Sequence, residues 1–275
     1  MRYMHRLVLA SVVATVALCG CRAPGPPPAA LPPGQVIAAT RVWAHSIRTV
    51  RDRDVSLRIT QTVEGRRREL PGFGGQMGFD RTIPALYLLA EKLGQTAFWL
   101  RARGDRFWLA FPHTSEVATG GPAAYAKLPH LIRPHEVRTW FAGPERVGLT
   151  WPETEMSVGP ECYRFDVFLA GALLRSVLVD RRKLVIEAIR SFDALGRRVT
   201  EVHLEDYAPQ DGIQFPRVIT VERPLEGMTV RLELGGPEIN PDINPAAFLP
   251  GRRPGWTHVD LDRQPLSALR ALQGD

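Results

Sequence analysis

The chain has 275 residues, 35 Lys and Arg against 29 Asp and Glu, and a formal net charge of +6. Hydrophobic residues make up 44% of it, which is enough for a sizeable core and excludes a disordered or fibrous chain. Only Cys162 lies outside the N-terminal segment that holds Cys19 and Cys21, which excludes a disulfide framework and a thiolate metal cluster.

The N-terminus opens with Arg2 and Arg6, followed by about a dozen apolar or small residues from Leu7 to Leu18. That is the length of a secretory signal and too short for a transmembrane helix of about 20 residues. The segment closes on Leu18-Cys19-Gly20-Cys21, and a Pro-rich stretch from Pro24 to Pro33 follows. A Leu, a small residue, Gly and Cys in this order resembles the lipobox of bacterial lipoproteins. The resemblance implies cleavage after residue 20, acylation of Cys21 and attachment to a membrane. Arg22, where an Asp would imply inner-membrane retention, implies the outer membrane. Residues 21–34 are then a tether, advancing about 3.1 Å per residue in polyproline geometry. Removing the signal leaves 255 residues with 33 basic and 29 acidic side chains, a net charge of +4. The excess is mild, and its clusters Arg66-Arg67-Arg68 and Arg181-Arg182-Lys183 fall between candidate strands, where turns with solvated charges account for them. Nucleic acid is not an expected partner.

Beyond the tether, Val36, Ala39, Trp43, Ile47 and Val50 recur at helical spacing and predict an amphipathic helix over residues 35–52. The period then changes to two, with Val55, Leu57 and Ile59 alternating with polar residues. Further strands are predicted at 84–92, 96–103, 106–111, 162–170, 173–180, 183–193, 198–207, 213–223 and 227–235, separated by Gly-bearing turns such as Gly104-Asp105 and Asp211-Gly212. Such hairpins in series build an antiparallel meander that curls into a barrel or half-barrel. Residues 112–160 interrupt this rhythm. A short helical turn is predicted at Ala123–Ala126, and a helix from Pro134 through Trp140 and Phe141 that stops at Gly143-Pro144, its apolar side formed by Ile132, Val137, Trp140 and Phe141. The Gly72–Gly78 run reads as a flexible loop. The domain is expected to span residues 35–250, with a C-terminal tail over 251–275 that holds a short helix near 265–272. Cys162 is expected to be a small core residue.

A search for chemistry finds little. There is no Gly-x-Ser-x-Gly elbow. His135-Glu136 begins like a zinc-protease helix, but Thr139 stands where the second His is required. The glycine run is neither a dinucleotide fingerprint nor a P-loop. His203 and Glu205 share a strand face, as solvated polar residues do, while His113, His130 and His135 could meet in space. Asp52/Asp54 and Asp260/Asp262 lack supporting ligands at binding-loop spacing. No catalytic residue, metal ligand or cofactor is assigned, and an enzyme is not expected.

The order of lipobox, tether, helix, meander, helical insertion and further meander resembles the lipoprotein-carrier family of Gram-negative bacteria, the periplasmic carrier LolA and its outer-membrane receptor LolB. Three stretches carry the likeness: Arg81-Thr82-Ile83-Pro84-Ala85-Leu86-Tyr87-Leu88, Gly104–Pro112 with its central Trp108, and Asn240–Pro250 with Phe248 and Pro250. The resemblance implies an unclosed antiparallel β-barrel with an N-terminal helix, an apolar cavity for acyl chains of lipoproteins or lipids, and a helical lid. Leu57, Leu86, Leu88, Phe98, Leu100, Phe107, Leu109, Phe165 and Val167 are the cavity candidates, and Trp140 and Phe141 the lid residues facing them. Arg81 is the candidate lid or loop contact, displaced two residues from the position where the carrier has an Arg before the Pro. An own anchor points to the receptor-like branch and to a periplasmic carrier protein as partner. The receptor's protruding apolar loop has its nearest substitute in Gly72–Gly78, with Phe73 and Met77. A filled barrel acting as a structural lipoprotein is the alternative.

Overall fold

The computed structural model describes residues 27–128, 133–141, 143–251 and 253–264. The signal, Cys21, His130, Ile132 and the terminal helix expected near 265–272 lie outside the described residues.

Helix α1 (Pro33–Ser46) starts with proline in its first turn and buries Val36, Thr40, Trp43 and Ala44. It ends six residues before the expected boundary. Val50 fits a helical repeat counted from Trp43, but it also fits the alternating burial of β1 (Thr49–Val63). Neighbouring strands on both sides supply hydrogen bonds to this backbone, and that settles the choice.

The first half continues with β2 (Arg66–Glu69), β3 (Phe73–Asp80), β4 (Ala85–Lys92), β5 (Gln95–Arg103), β6 (Arg106–Phe111) and β7 (Glu116–Gly120). The second half holds β8 (Thr154–Val158), β9 (Cys162–Leu169), β10 (Ala172–Asp180), β11 (Ile186–Phe192), β12 (Arg198–Gln210), β13 (Ile213–Arg223) and β14 (Met228–Leu234). Two short strands follow, β15 (Glu238–Ile239) and β16 (Thr257–Asp260). All join one sheet in the order β16-β7-β6-β5-β4-β3-β1-β14-β13-β12-β11-β10-β9-β8, with β2 and β15 also on β1. The ends, β16 and β8, do not pair, so the sheet is an unclosed half-barrel. Every pairing is antiparallel except β16 on β7.

Between β7 and β8 lie a 3-10 turn (Pro122–Lys127), helix α2 (Pro134–Trp140) and a single helical turn, α3 (Pro144–Val147). The predicted helix is therefore present, although the interrupted region also contains β7 and β8. Arg66–Arg68 are in β2 rather than a turn, on a short ribbon exposed throughout. Strand 183–193 starts at Ile186, because the Asp180 side chain accepts the backbone N–H groups of Arg182 and Lys183 in a tight turn. The expected tail from residue 251 contributes β16, and Asp262 accepts the N–H of Gly121 at 3.1 Å.

The glycine run is the largest departure. It is strand β3, in the middle of the first half-sheet, and not a loop. A Cβ on Gly75 would lie 1.9 Å from the Leu89 carbonyl oxygen, and one on Gly78 would lie 2.1 Å from the Tyr87 ring. Glycine is needed here for close approach: the Tyr87 ring lies over Gly78, in the manner of aromatic residues that cover strand glycines.

The alternating strand directions divide the turns between two rims. The upper rim holds Glu64-Gly65, Leu93-Gly94, Ala170-Gly171, Asp193–Arg197 and Pro224–Gly227. The lower rim holds Arg81–Pro84, Gly104-Asp105, Gly159–Glu161, Arg181–Val185 and Asp211-Gly212. Four of these are two-residue hairpins with both residues at positive φ, among them Leu93 (52°) and Gly94 (76°).

Gly78→Ala is expected to cost about 1–3 kcal/mol of unfolding free energy in urea titrations, from overpacking against the ring. In a Tyr87→Ala background the same change should cost less by at least about 0.5 kcal/mol, and equal costs would mean that the ring is not the obstacle.

Candidate functional site: the concave face and its lid

The inward parity of the strands forms one apolar core. Leu57, Leu86, Leu88, Phe98, Leu100, Phe107, Leu109 and Phe165 all lie in it, each at most 4% exposed. Val167 is equally buried and packs beside Gly148, just past α3.

Helix α2 lies against this concave face. Proline opens it, and the backbone N–H of Arg133 donates to Glu136 Oε2 at 3.1 Å, which satisfies a polar group at the helix start. Trp140 and Phe141 are 1% and 0% exposed. The Phe141 ring stacks on Phe215 at 5.2 Å and lies 5.4 Å from Phe79. Trp140 and Val137 meet Met77, Leu86, Leu88 and Leu232 around a void of about 10 Å³, the room of a single water molecule. The Trp140 Nε1–H is buried there without an acceptor among the described residues. In this state the concavity is filled by its own lid.

The lid is fastened by charge. Arg223, at the upper end of β13, is fully buried, and Glu136 is 3% exposed. The Arg223 Nε donates to Glu136 Oε1 at 2.8 Å and its Nη2 to Oε2 at 2.5 Å, a two-pronged contact. The Arg223 Nη1 reaches the Met228 sulfur at 3.4 Å. One residue before the helix, Arg133 Nη2 donates to Glu226 Oε1 at 2.7 Å. Both pairs tie α2 to the β13–β14 hairpin. Sequence reading missed this latch, though a signal exists: Arg223 occupies the inward parity of Ile219 and Val221, where an unpartnered charge would be prohibitive.

Around the same end, the upper rim carries exposed apolar side chains. Leu93 is 95% exposed, Leu195 77%, Leu169 57% and Leu225 53%. The turns of the lower rim present Arg81, Asp105, Arg181, Arg182, Lys183 and Asp211 instead.

The hydrogen bonds of Arg81 go to α1. Its Nη1 donates to the Ala44 carbonyl at 2.6 Å and its Nη2 to His45 at 3.3 Å, so it caps the last turn of α1. Burial, with Arg146 nearby, holds its pKa below the usual guanidinium value. The Trp43 indole pins the same helix by donating to the Gln214 carbonyl at 2.7 Å. Gly72–Gly78, as a central strand, cannot be a protruding loop; Leu93 at the β4–β5 tip is the protruding apolar residue.

Of the three histidines expected to meet, His130 lies outside the described residues; His113 meets Phe111 edge-on, and His135 stacks on Tyr125 at 4.8 Å. Ligand atoms of Glu201, His203 and Glu222 lie within 4.8 Å of one another on the outer face. Glu201, however, accepts from Arg190 at 2.6 Å and from Arg198, which already neutralises the charge a cation would need.

Glu136→Leu is expected to destabilise the protein by about 3–5 kcal/mol in denaturant titrations, because it leaves a buried guanidinium without its carboxylate. The double change Glu136→Leu with Arg223→Met should recover most of that loss. Arg81→Gln should cost only about 1 kcal/mol, seen as a modest fall in the thermal midpoint.

No family model and no curated protein matches the chain. Solved structures do. A DUF1329 family protein from Desulfovibrio piger is 14% identical, with a TM-score of 0.57 over 80% of this chain and 98% of that one. A LolA superfamily protein from Nitrosomonas europaea is 11% identical, with a TM-score of 0.52 over 80% and 98%. A putative outer membrane lipoprotein-sorting protein domain from Vibrio parahaemolyticus is 7% identical, with a TM-score of 0.52 over 79% and 97%. The chain thus has the fold of the LolA superfamily, a half-barrel with a helix closing its concave side.

Proposed function

We propose that this protein is a lipoprotein of the outer membrane, held by acyl chains on Cys21 and facing the periplasm, that binds acyl chains of lipoproteins or lipids and takes part in their transport or sorting. It acts without bond chemistry and exchanges its cargo with a periplasmic carrier protein. The observation that carries this reading is the nature of the filling. A separate seven-residue helix, fastened at one end by two ion pairs, supplies the side chains that occupy the concavity. Trp and Phe each bury about 150–250 Å². Moving Trp140 and Phe141 out of the concavity frees a volume already lined with apolar side chains. A buried acyl chain gains about 25 cal/mol per Å² of covered surface, which can offset the opening. The apolar tips of the upper rim border the same end as the latch, so a chain entering there meets little polar surface.

A second reading is a structural lipoprotein with a permanently packed barrel, favoured by the void of only about 10 Å³ beneath the lid. Export of the Cys21→Ala protein to the periplasm, followed by native mass spectrometry and titration with a fluorescent fatty acid, separates the two. The transport reading expects bound acyl species, and faster uptake, about tenfold, when Glu136→Gln weakens the latch. A lipid-free protein that ignores the fatty acid with or without Glu136→Gln would sink it and leave the packed scaffold.

A further inference from the structure

The outer face of the first half-sheet carries a second, smaller apolar cluster, independent of the lid and of any acyl cargo. Trp99, Ala110 and Val117 form its centre, with Leu89, Trp108 and Trp256 packed around them. The chain segment after β15 crosses this face. Phe248 is fully buried and lies 5.7 Å from the Tyr87 ring. Between this segment and the sheet is a cavity of about 200 Å³, lined by Gln76, Tyr87, Leu89, Trp99, Arg101 and Ala247, with the Leu88 backbone position at its floor.

Two features of this cavity point to a ligand. The Trp99 ring, 5% exposed, forms part of its wall beside Arg101. Arg101 places its guanidinium 4.9 Å from the centre of the Trp99 ring, donates to the Leu249 carbonyl, and has no carboxylate partner among the described residues. Arg253 acts on it as a second cation, and burial together with that neighbour pulls its pKa below the usual value. The second feature is the opposite wall. Tyr87 is held flat by Gly78 beneath it and Phe248 beside it, so the glycine run builds one side of the cavity.

We infer that this cavity is a binding site for a small carboxylate with an apolar or aromatic body, its charge taken by Arg101 and its body lying against Trp99, Tyr87 and Leu89. A guanidinium is a donor only, so the recognised group must be an acceptor. Flanking cations select an anion, and an uncompensated half-buried Arg gains more from one than from a neutral acceptor. The volume admits a ligand the size of benzoate or hexanoate.

The test uses ¹⁵N-labelled protein, soluble through Cys21→Ala, titrated with benzoate, hexanoate and inorganic phosphate. The chain has six Trp, so the indole Nε1–H signal of Trp99 can be assigned by its loss in Trp99→Phe. The expected result is a saturable shift of that signal with benzoate or hexanoate, weakened about tenfold or more in Arg101→Gln. The stronger of the two identifies an aromatic or an aliphatic body. No shift at about 10 mM, where even a Kd of about 1 mM would be largely saturated, would overturn the site. Binding untouched by Arg101→Gln would overturn it too. An equal response to phosphate would overturn the apolar-body assignment. Because the cavity lies outside the lid, the result is independent of whether fatty acid binds the concave face.

Discussion

A curved sheet with an apolar concave face cannot remain uncovered in water, and the rest of this structure follows from how that face is covered. Closing the barrel would pair β16 with β8 and leave an interior of fixed size. The chain instead leaves the sheet open and lays α2 across the hollow, with Trp140 and Phe141 as the packing elements. The helix has only seven residues, too few to be stable alone. Its position is set by tertiary contacts, and among them the bidentate Glu136–Arg223 pair is the most specific. A desolvated ion pair tolerates little displacement, because partial separation exposes two charges to an apolar interior. Such a contact favours two discrete arrangements, fastened or released, over a graded loosening.

Much of this was legible in the amino-acid order. Strand 106–111 and strand 213–223 have the predicted bounds, because clear two-residue alternation and Gly-bearing turns fix both register and ends. Helix α2 was marked by Pro134 and Gly143. The half-barrel class and the LolA-type fold followed from element order. What was not legible depended on contacts distant in sequence. The latch joins residues 87 positions apart, and Glu136 alone resembles any acidic residue in a first helical turn. Arg81 read as a functional Arg by its place before Pro84, yet its partners are the last carbonyls of α1, which only the packing of that helix reveals.

The misreading of Gly72–Gly78 has a general cause. Glycine serves both where φ must be positive and where space is short, and the sequence does not distinguish them. No glycine in β3 has positive φ; the reason for them lies on the next strand, in the ring of Tyr87 and the backbone of Leu89. That choice thins the sheet locally and gives its outer face a recess that the C-terminal segment roofs.

The start of the described chain gives the molecule a direction. The Leu31 N–H donates to the Tyr163 hydroxyl at 2.9 Å, and the Pro28 carbonyl accepts from Arg181, both at the lower rim. On the proposed attachment at Cys21, about six residues separate the anchor from Pro28, a reach of roughly 19 Å were they in polyproline geometry. A fifteen-residue strand such as β1 is about 50 Å long. The tether is then too short to run back along the barrel and turn it over. Under that proposal the rim that carries Leu93, Leu195 and Leu225 would point away from the lipid surface. On the proposed function, cargo would then enter from the aqueous side, and a second event, at the opposite pole, would be needed to bring it to the membrane.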